Sequence, residues 1–367
     1  MASRTKQKKS STTTQKPETN KCDVSGLIDP NAPYVDVLSW NLDGLGEGMR
    51  PRERAGLAME EIFDNTKDGR ALPDVLCFQE VTPSTIEVLH ARLVRNGYVD
   101  VEEARIPAGR EIPGSYFTKM YLRQAEGRTR RLSSFRQDYP SSMQGRDYLQ
   151  ADIHVPFLGM VRVATTHLES QSPNWQVREV QLQHAVNHLE QVKGSEPCLS
   201  LLVGDLNLSK ADEKYLPRIT RTLIDAFGHD PVPTWDAIRN VNVRRMLGLQ
   251  TSGGPRCRFD RCFFRKSMEG LQLVRTSLVG IEKDAELDLH PSDHFGIRMR
   301  WEGPAGSRQE VVGSDKGQSA APAEPDVEER RRLALRAAEA RLKGEAAARS
   351  GEKDSMTPAK RKPQLKK

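Results

Sequence analysis

Residues 198–208, CLSLLVGDLNL, contain a mainly apolar run that is followed by the polar residues Asp205 and Asn207. A run of this length and composition is typical of a buried β-strand, and it predicts a strand over residues 198–206. Asp205 and Asn207 close the run two residues apart, so their side chains would point to one face of a continuing strand. A carboxylate that takes a proton beside an amide that orients water is suited to hydrolysis. The alternative is a simple turn, because Gly, Asp and Asn are common turn residues.

The same arrangement recurs at four other places, where polar side chains stand at the end or the beginning of an apolar run. These places are residues 39–44 (SWNLDG), 77–81 (CFQEV), 166–170 (THLES) and 292–296 (SDHFG). Each neighbouring run predicts a buried strand. Five strand ends with groups able to bind a metal, a phosphate or a proton predict one active site on one rim of a sheet.

Glu80 is the candidate metal ligand among these groups. It follows the apolar run 75–79, and a carboxylate at a strand end is a hard oxygen ligand suited to Mg²⁺. Taken alone, Glu80 would more often be an ordinary surface glutamate.

Two histidines are candidate phosphate ligands. Asp293 precedes His294, and a neighbouring carboxylate can fix the tautomer of an imidazole and favour its charged form. Because adjacent residues in a strand point apart, Asp293 could instead reach the metal or another histidine. His167, together with Ser170, is the second candidate. A single histidine is usually structural, but several such groups at separate strand ends favour a common site.

The order of the predicted elements favours a layered fold. Short apolar or alternating runs predict strands at residues 35–42, 74–81, 116–123, 148–155, 159–168, 198–206, 259–265 and 294–301. Helical spacing of apolar residues predicts helices at 50–66, 83–96 and 175–193. The fold class is therefore predicted to be α+β, a four-layer α/β/β/α sandwich of two mixed sheets with outer helices, flanked by disordered tails.

Composition separates a folded middle from two polar tails. Residues 1–30 carry six Lys/Arg and three Asp/Glu, and residues 303–367 carry fifteen and ten, so the basic excess lies mainly in the tails. We expect a disordered tail at 1–30, a catalytic domain at 31–302, a linker at 303–325, a helical segment at 326–349 and a second disordered tail at 350–367. Solvated disorder is the simpler interpretation of the tails, and nucleic-acid tethering or nuclear import is the functional one.

Other features of the composition bear on the compartment. The chain has no run of 18 apolar residues, so we expect no transmembrane helix. Its five cysteines form no CxxC pair, which fits reduced, intracellular thiols. We expect a monomer in the nucleus, with the cytoplasm as an alternative location.

Several strings of the chain resemble the endonuclease/exonuclease/phosphatase superfamily of Mg²⁺-dependent phosphodiesterases. They are residues 39–45 (SWNLDGL), 115–118 (SYFT), 166–170 (THLES), 234–236 (TWD) and 258–265 (RFDRCFFR). The resemblance extends over residues 34–302. The HLES, TWD and RFDR strings are similar to the branch that acts on 5′-tyrosyl-DNA bonds, and they differ from the abasic-site endonucleases.

The resemblance implies a metal-assisted hydrolytic site. Glu80 would hold Mg²⁺, with Mn²⁺ as an alternative, and Asn41 and Asp293 would lie close to the metal. Asp205 would take the proton from the attacking water, and Asn207 would position that water.

The resemblance also implies roles in binding the substrate. His294, helped by Asp293, would stabilise the transition state, while His167 and Ser170 would hold a non-bridging phosphate oxygen. Trp235 would line the groove for the DNA strand, where a flat aromatic face accepts any base, and Tyr116 would be a second contact.

The implied function is hydrolysis of 5′-tyrosyl-DNA bonds left by topoisomerases, a DNA-repair reaction that leaves a 5′-phosphate. The alternatives are another nucleic-acid phosphodiester, such as abasic DNA or protein-linked RNA, and a non-catalytic adaptor. One departure concerns the DNA grip, since Leu206 and Ser209 stand where the family string DTNLR has Thr and Arg. Lys210 could take over the role of that arginine.

A second resemblance lies in the C-terminal helical segment. Residues 328–342 read EERRRLALRAAEARL, and the spacing of Arg331, Ala337, Ala338 and Arg341 is similar to a short helix that binds the valosin-containing AAA+ segregase. A thin alanine face lets a partner groove close, and the flanking arginines suit acidic contacts. The alternative is an ordinary solvated helix.

Overall fold

A computed structural model describes residues 32–304, except for 47, 65–70, 103–105, 108–109, 111–113, 193, 229–231 and 251–252. The described residues belong to one structural unit. The predicted tails, the predicted helical segment and nearly all of the predicted linker lie outside them, so these domain boundaries stay predictions. No helix of the described part is long and apolar enough to cross a membrane.

Fourteen strands and five α-helices occur in the described residues. The strands are β1 (Tyr34–Asn41), β2 (Val75–Val81), β3 (Tyr98–Asp100), β4 (Phe117–Arg123), β5 (Arg130–Asp138), β6 (Asp147–Val155), β7 (Gly159–His167), β8 (Leu199–Asp205), β9 (Ile224–Asp225), β10 (Trp235–Asp236), β11 (Arg256–Cys257), β12 (Asp260–Lys266), β13 (Gln272–Val279) and β14 (Gly296–Glu302). The helices are α1 (Pro51–Asp64), α2 (Ile86–Arg95), α3 (Trp175–Glu190), α4 (Leu216–Ile219) and α5 (Val241–Met246).

The strands form two six-stranded sheets and one small ribbon. The first sheet has the order β13-β14-β1-β2-β4-β3, and the second has the order β5-β6-β7-β8-β12-β9. Strands β10 and β11 pair separately. Both large sheets are mixed, because β1 pairs in parallel with β2 and β7 with β8, while their other neighbours are antiparallel.

Side-chain alternation along the strands produces the layers. In β1, Val37 faces the core between the two sheets, whereas Leu38 and Trp40 face a second core beneath α1 and α2. On the opposite side of the sandwich, Leu202 of β8 packs in a third core with Leu182 of α3. The predicted four-layer sandwich of two mixed sheets with outer helices is confirmed.

Strand pairing brings the predicted motifs to one rim. In the first sheet Asn41 is the partner of Gln79, beside Glu80. In the second sheet Asp205 is the partner of His167 on one side and of Asp260 on the other. The carboxyl ends of the parallel pairs β1–β2 and β7–β8 therefore lie at the same edge as the amino end of β12, which is antiparallel to β8.

Candidate active site

The rim brings seven of the predicted site residues together. They are Asn41, Glu80, His167, Asp205, Asn207, Asp293 and His294. Asp205 is the central carboxylate of this group. Its Oδ2 lies 2.9 Å from Nδ2 of Asn41, 3.2 Å from Nε2 of His167 and 3.8 Å from Nε2 of His294.

Asp205 is held in its ionised form. Its Oδ1 accepts a hydrogen bond of 2.9 Å from the backbone N–H of Asn207. Burial alone would raise the pKa of Asp205, but the neighbouring imidazoles of His167 and His294 and the hydrogen bonds from His167 and Asn41 outweigh burial and hold the pKa well below its usual range. Asp205 is therefore a carboxylate acceptor at neutral pH.

The backbone bends sharply where the strands deliver these groups. Glu80 has φ +53° and Asn207 has φ +49°, a left-handed conformation that is uncommon for residues other than glycine. Such strained positions cluster at functional sites. Gly204 is required by close approach of β7 and β8, because a Cβ there would lie 2.0 Å from the carbonyl oxygen of Thr166.

His294 is paired with a carboxylate that the sequence did not single out. Its Nδ1 lies 2.7 Å from Oδ2 of Asp260, while its Nε2 lies 3.9 Å from Oδ1 of the adjacent Asp293. Burial alone would lower the pKa of His294, but the surrounding carboxylates, first among them Asp260, outweigh it and raise the pKa well above its ordinary value. A charged imidazole therefore faces Asp205. The signal that could have identified Asp260 is its place at the start of a strand antiparallel to β8.

Glu80 lies in an acidic part of the rim. Burial, followed by the charge of Asp293, raises the pKa of Glu80 to about 7. Burial and Asp293 also raise the pKa of Asp43, although the fully buried Arg54 lies 3.0 Å from its Oδ2. Ionised carboxylates this close together repel each other, and a bound divalent cation would offset that repulsion. Carboxylate oxygens are also the hard ligands that such a cation prefers. Asp43 is a second residue to which the sequence analysis gave no role.

A second group of candidate ligands lies beside the first. Single ligand atoms of Asp205, Asp260 and His294 all lie within 4.8 Å of one another. Nδ1 of His294 is hydrogen-bonded to Asp260, and the charged imidazole also carries a proton on Nε2, so His294 would have to lose that proton before it could bind a metal. The rim is thus a candidate metal site, and we favour its Glu80 side as the place of the cation.

Trp235 lies on one side of the rim. Its indole N–H donates to Oδ2 of Asp293 at 3.2 Å, and its ring centre lies 5.7 Å from that of Phe259. The Phe259 ring lies 6.1 Å from the His294 ring. Two aromatic faces therefore stand next to the charged imidazole.

Tyr116 and Ser170 lie on the other side of the rim. Both side chains contact the turn between β5 and β6. The Tyr116 hydroxyl donates to the backbone oxygen of Gln144 at 2.6 Å, and the Ser170 hydroxyl donates to Oε1 of the same residue at 2.9 Å. Arg146, also in this turn, donates to Nδ1 of His167. Burial, followed by the charge of Arg146, lowers the pKa of His167 to about 4. Gln144 and Arg146 were missed because no strand-end motif marks them.

The two departures in the loop after Asp205 have different surroundings. Leu206 is fully buried in the core beside α3. Ser209 donates from its hydroxyl to Oδ2 of Asp212 at 2.6 Å. The predicted partner motif, Arg331, Ala337, Ala338 and Arg341, lies outside the described residues.

The sequence profile of the endonuclease/exonuclease/phosphatase family matches residues 38–294. The chain is 31% identical to tyrosyl-DNA phosphodiesterase 2 of Xenopus laevis over 273 residues, which are 72% of this chain and 65% of that protein. The matched region thus spans slightly less than two thirds of that relative. The chain is also 25% identical to tyrosyl-DNA phosphodiesterase 2 of Bos taurus over 289 residues, which are 76% of this chain and 71% of that protein.

Solved structures show the same fold. The crystal structure of D. rerio TDP2 complexed with single strand DNA product is similar with a TM-score of 0.59 and 23% identity, and covers 73% of this chain and 98% of that chain. The human Nocturnin catalytic domain with bound sulfate is similar with a TM-score of 0.52 and 18% identity, and covers 73% and 93%. With a profile match over well more than half of its length, this chain belongs to the endonuclease/exonuclease/phosphatase family.

Proposed function

We propose that this protein is a Mg²⁺-dependent phosphodiesterase that hydrolyses 5′-tyrosyl-DNA bonds and leaves a 5′-phosphate. The observation that carries the proposal is the position of ionised Asp205 between the imidazoles of His167 and His294. This arrangement supports hydrolysis because it places a proton acceptor next to a fixed positive charge.

The residues of the rim divide the reaction between them. A water attacks phosphorus, its proton passes to a carboxylate oxygen of Asp205, and the bond from phosphorus to the tyrosyl oxygen breaks. The charged imidazole of His294, held by Asp260, neutralises charge that grows on the phosphate oxygens. An anionic phosphate beside Asp205 would also raise the pKa of this carboxyl and make it a stronger base during the reaction.

A phenolic leaving group suits such a site. Tyrosine has a pKa of about 10, which lies far below that of a sugar hydroxyl, so its oxygen departs with little protonation. The site therefore needs to supply only an activated water and positive charge next to the phosphate.

Glu80 would hold the cation, with Asn41, Asp293 and Asp43 close to it. Mg²⁺ takes oxygen ligands and commonly uses only one or two carboxylates from the protein, so Glu80 with one acidic neighbour fits it. When bound, Mg²⁺ supplies positive charge next to the phosphate oxygens.

Two observations support a DNA adduct as the substrate. The relatives are named tyrosyl-DNA phosphodiesterase 2. The faces of Trp235 and Phe259 offer stacking surfaces that accept any base. We therefore propose topoisomerase-derived 5′-phosphotyrosyl DNA as the partner, repair of DNA as the process and the nucleus as the location.

The test of substrate class is a panel of end-labelled oligonucleotides. It contains 5′-phosphotyrosyl DNA, 5′-phosphotyrosyl RNA and abasic duplex DNA, each incubated with Mg²⁺ or with EDTA. The expected result is Mg²⁺-dependent loss of tyrosine, fastest from the DNA substrate. Cleavage of the abasic duplex with no release of tyrosine would contradict the proposal.

We also propose that the segment around Arg331 and Arg341 binds the valosin-containing AAA+ segregase, which could remove protein from an adduct. The support is the spacing of these arginines around Ala337 and Ala338. In a pulldown with the purified segregase, Arg341→Ala should reduce binding, and Glu339→Ala serves as the control. Binding that is unchanged by Arg341→Ala would contradict this proposal.

A further inference from the structure

The side chain of Arg146 contacts one of the two ring nitrogens of His167. Arg146 is buried, and its guanidinium donates to Nδ1 of His167. A guanidinium has N–H donors and no acceptor, so Nδ1 has to be an unprotonated acceptor in this contact. The proton of the neutral imidazole is therefore on Nε2.

The Nε2 atom of His167 faces the centre of the rim. It lies 3.2 Å from Oδ2 of Asp205 and 3.8 Å from Oε1 of Glu80. In the opposite tautomer, a lone pair would face these carboxylates and an N–H would face the guanidinium of Arg146. Both contacts would then be repulsive, so Arg146 excludes that tautomer.

Arg146 is itself held by the turn that contains it. Oε1 of Gln144 accepts hydrogen bonds from Nη2 and Nε of Arg146 at 2.9 Å and 3.3 Å. The hydroxyl oxygen of Ser142 accepts from the backbone N–H of Arg146 at 2.9 Å. The guanidinium also lies 4.9 Å from the ring centre of Tyr116. These contacts leave the guanidinium little freedom to turn away from His167.

Glu169 fastens this turn to the segment that carries His167. Its carboxylate is fully buried and accepts from the hydroxyl of Ser142 at 2.7 Å, the backbone N–H of Met143 at 3.0 Å and Nε2 of Gln181 at 3.1 Å. Glu169 is two residues from His167, so the histidine and the turn that orients it are anchored together.

We propose that Arg146 is a positioning residue that locks His167 as the Nε2–H tautomer, and that Glu169 holds the turn that keeps Arg146 in place. His167 then presents a fixed N–H donor at Nε2 toward the part of the rim that holds Asp205 and would hold the phosphate. The catalytic consequence rests on the proposed function, whereas the tautomer itself does not.

The tautomer can be measured without substrate. Full-length protein labelled with ¹⁵N-histidine is treated with EDTA, and two-bond ¹H–¹⁵N spectra of the imidazoles are recorded at pH 7. The chain has eight histidines, and the His167→Gln variant identifies the signals to be read. We expect an unprotonated-type Nδ1 and a protonated-type Nε2. A protonated Nδ1 in the wild-type protein would overturn the proposal.

Variants test whether Arg146 is the cause. Arg146→Met should shift both nitrogen signals toward an average of the two tautomers and lower kcat by about tenfold to a hundredfold, as loss of an orienting partner of a functional histidine commonly does. Arg146→Lys, which keeps a donor and the charge, should retain the Nε2–H tautomer, and Arg130→Met is the control for loss of an exposed arginine. If Arg146→Met does not fold, the wild-type and Arg146→Lys spectra decide.

The outcomes separate the two proposals. An unchanged tautomer in folded Arg146→Met contradicts the positioning role, whatever the activity. The expected tautomer in a protein that releases no tyrosine supports the positioning role and contradicts the proposed function.

Discussion

Nδ1 of His294 lies 2.7 Å from Oδ2 of Asp260, and both side chains are buried at the rim that carries Asp205. Asp260 starts β12 and pairs in register with Asp205, so the two carboxylates stand on neighbouring strands with the imidazole facing both. This pairing keeps His294 charged and directs its other nitrogen toward the site.

Asp260→Asn should reduce activity through His294. Loss of the carboxylate removes the main charge that raises the pKa of His294, so the imidazole loses its proton at lower pH. We expect kcat to fall by about 100-fold or more, as for loss of a positioned acid–base group. The alkaline limb of the pH–rate profile should also move to lower pH. Asp288→Asn, at an exposed site, is the control, and an alkaline limb that stays in place would argue against this role.

Metal binding should compete with a proton on Glu80. Because burial raises its pKa to about 7, Glu80 is increasingly protonated below that pH and would bind a cation less tightly. We expect Mg²⁺ to raise the Tm of the wild-type protein at pH 8 and to do so less at pH 6. Glu80→Gln should lose most of the shift, while Glu87→Gln, an exposed control, should keep it. Equal shifts for all three proteins would place the cation elsewhere.

Gly204→Ala should destabilise the fold. Gly204 has φ +144°, and a Cβ would lie 2.0 Å from the carbonyl oxygen of Thr166, which cannot move without breaking the pairing of β7 with β8. We expect the free energy of unfolding to fall by about 3 kcal/mol or more. Gly248→Ala, with φ +63° and open space around its Cβ, should cost only about 1 kcal/mol from its backbone conformation. Urea unfolding measures both values, and equal losses would contradict the predicted clash.

Stability should depend on pH through His290. This side chain is buried and accepts a hydrogen bond at Nδ1 from the backbone N–H of Val241, and burial lowers its pKa from 6.5 to about 4. The unfolded chain therefore binds the proton more tightly, so the contribution of His290 is fully present above pH 6.5 and is lost as the pH falls toward 4. The expected slope is about 1.4 kcal/mol per pH unit.

The variant His290→Asn isolates this contribution, because the other titrating groups are common to both proteins. Between pH 6.5 and 4, its free energy of unfolding in urea should fall less steeply than that of the wild-type protein. Parallel pH dependences would show that His290 does not titrate differently in the folded and unfolded states.

The strands that build the layers were predictable because they are buried on one or both faces. The run at β8 is apolar up to Gly204 except for Ser200, and β1 is buried along nearly its whole length. Strand β5, with the sequence RRLSSFRQD, lies at a sheet edge and is largely exposed, so no hydrophobic pattern marks it. Strands β9, β10 and β11 have two residues each, and they form only because neighbouring segments are already in place.

The candidate site was predictable to the same extent. Residues that follow buried strands, such as Glu80 and Asp205, could be identified because strand ends gather at one rim. The partner of His294 could not be chosen without the register, which selects Asp260 rather than the adjacent Asp293. Arg146 contacts His167 across strands β6 and β7, and no local pattern predicts that contact.

The most direct test of the account is the single-turnover release of tyrosine from a 5′-phosphotyrosyl oligonucleotide in Mg²⁺ by wild-type protein and by Asp205→Asn. The wild-type protein should release all of the tyrosine and leave a 5′-phosphate on the DNA. Asp205→Asn keeps the shape of the side chain but cannot accept the proton, so its rate should be at least about 100-fold slower. Tyrosine that stays attached with wild-type protein, or full activity of Asp205→Asn, would contradict it.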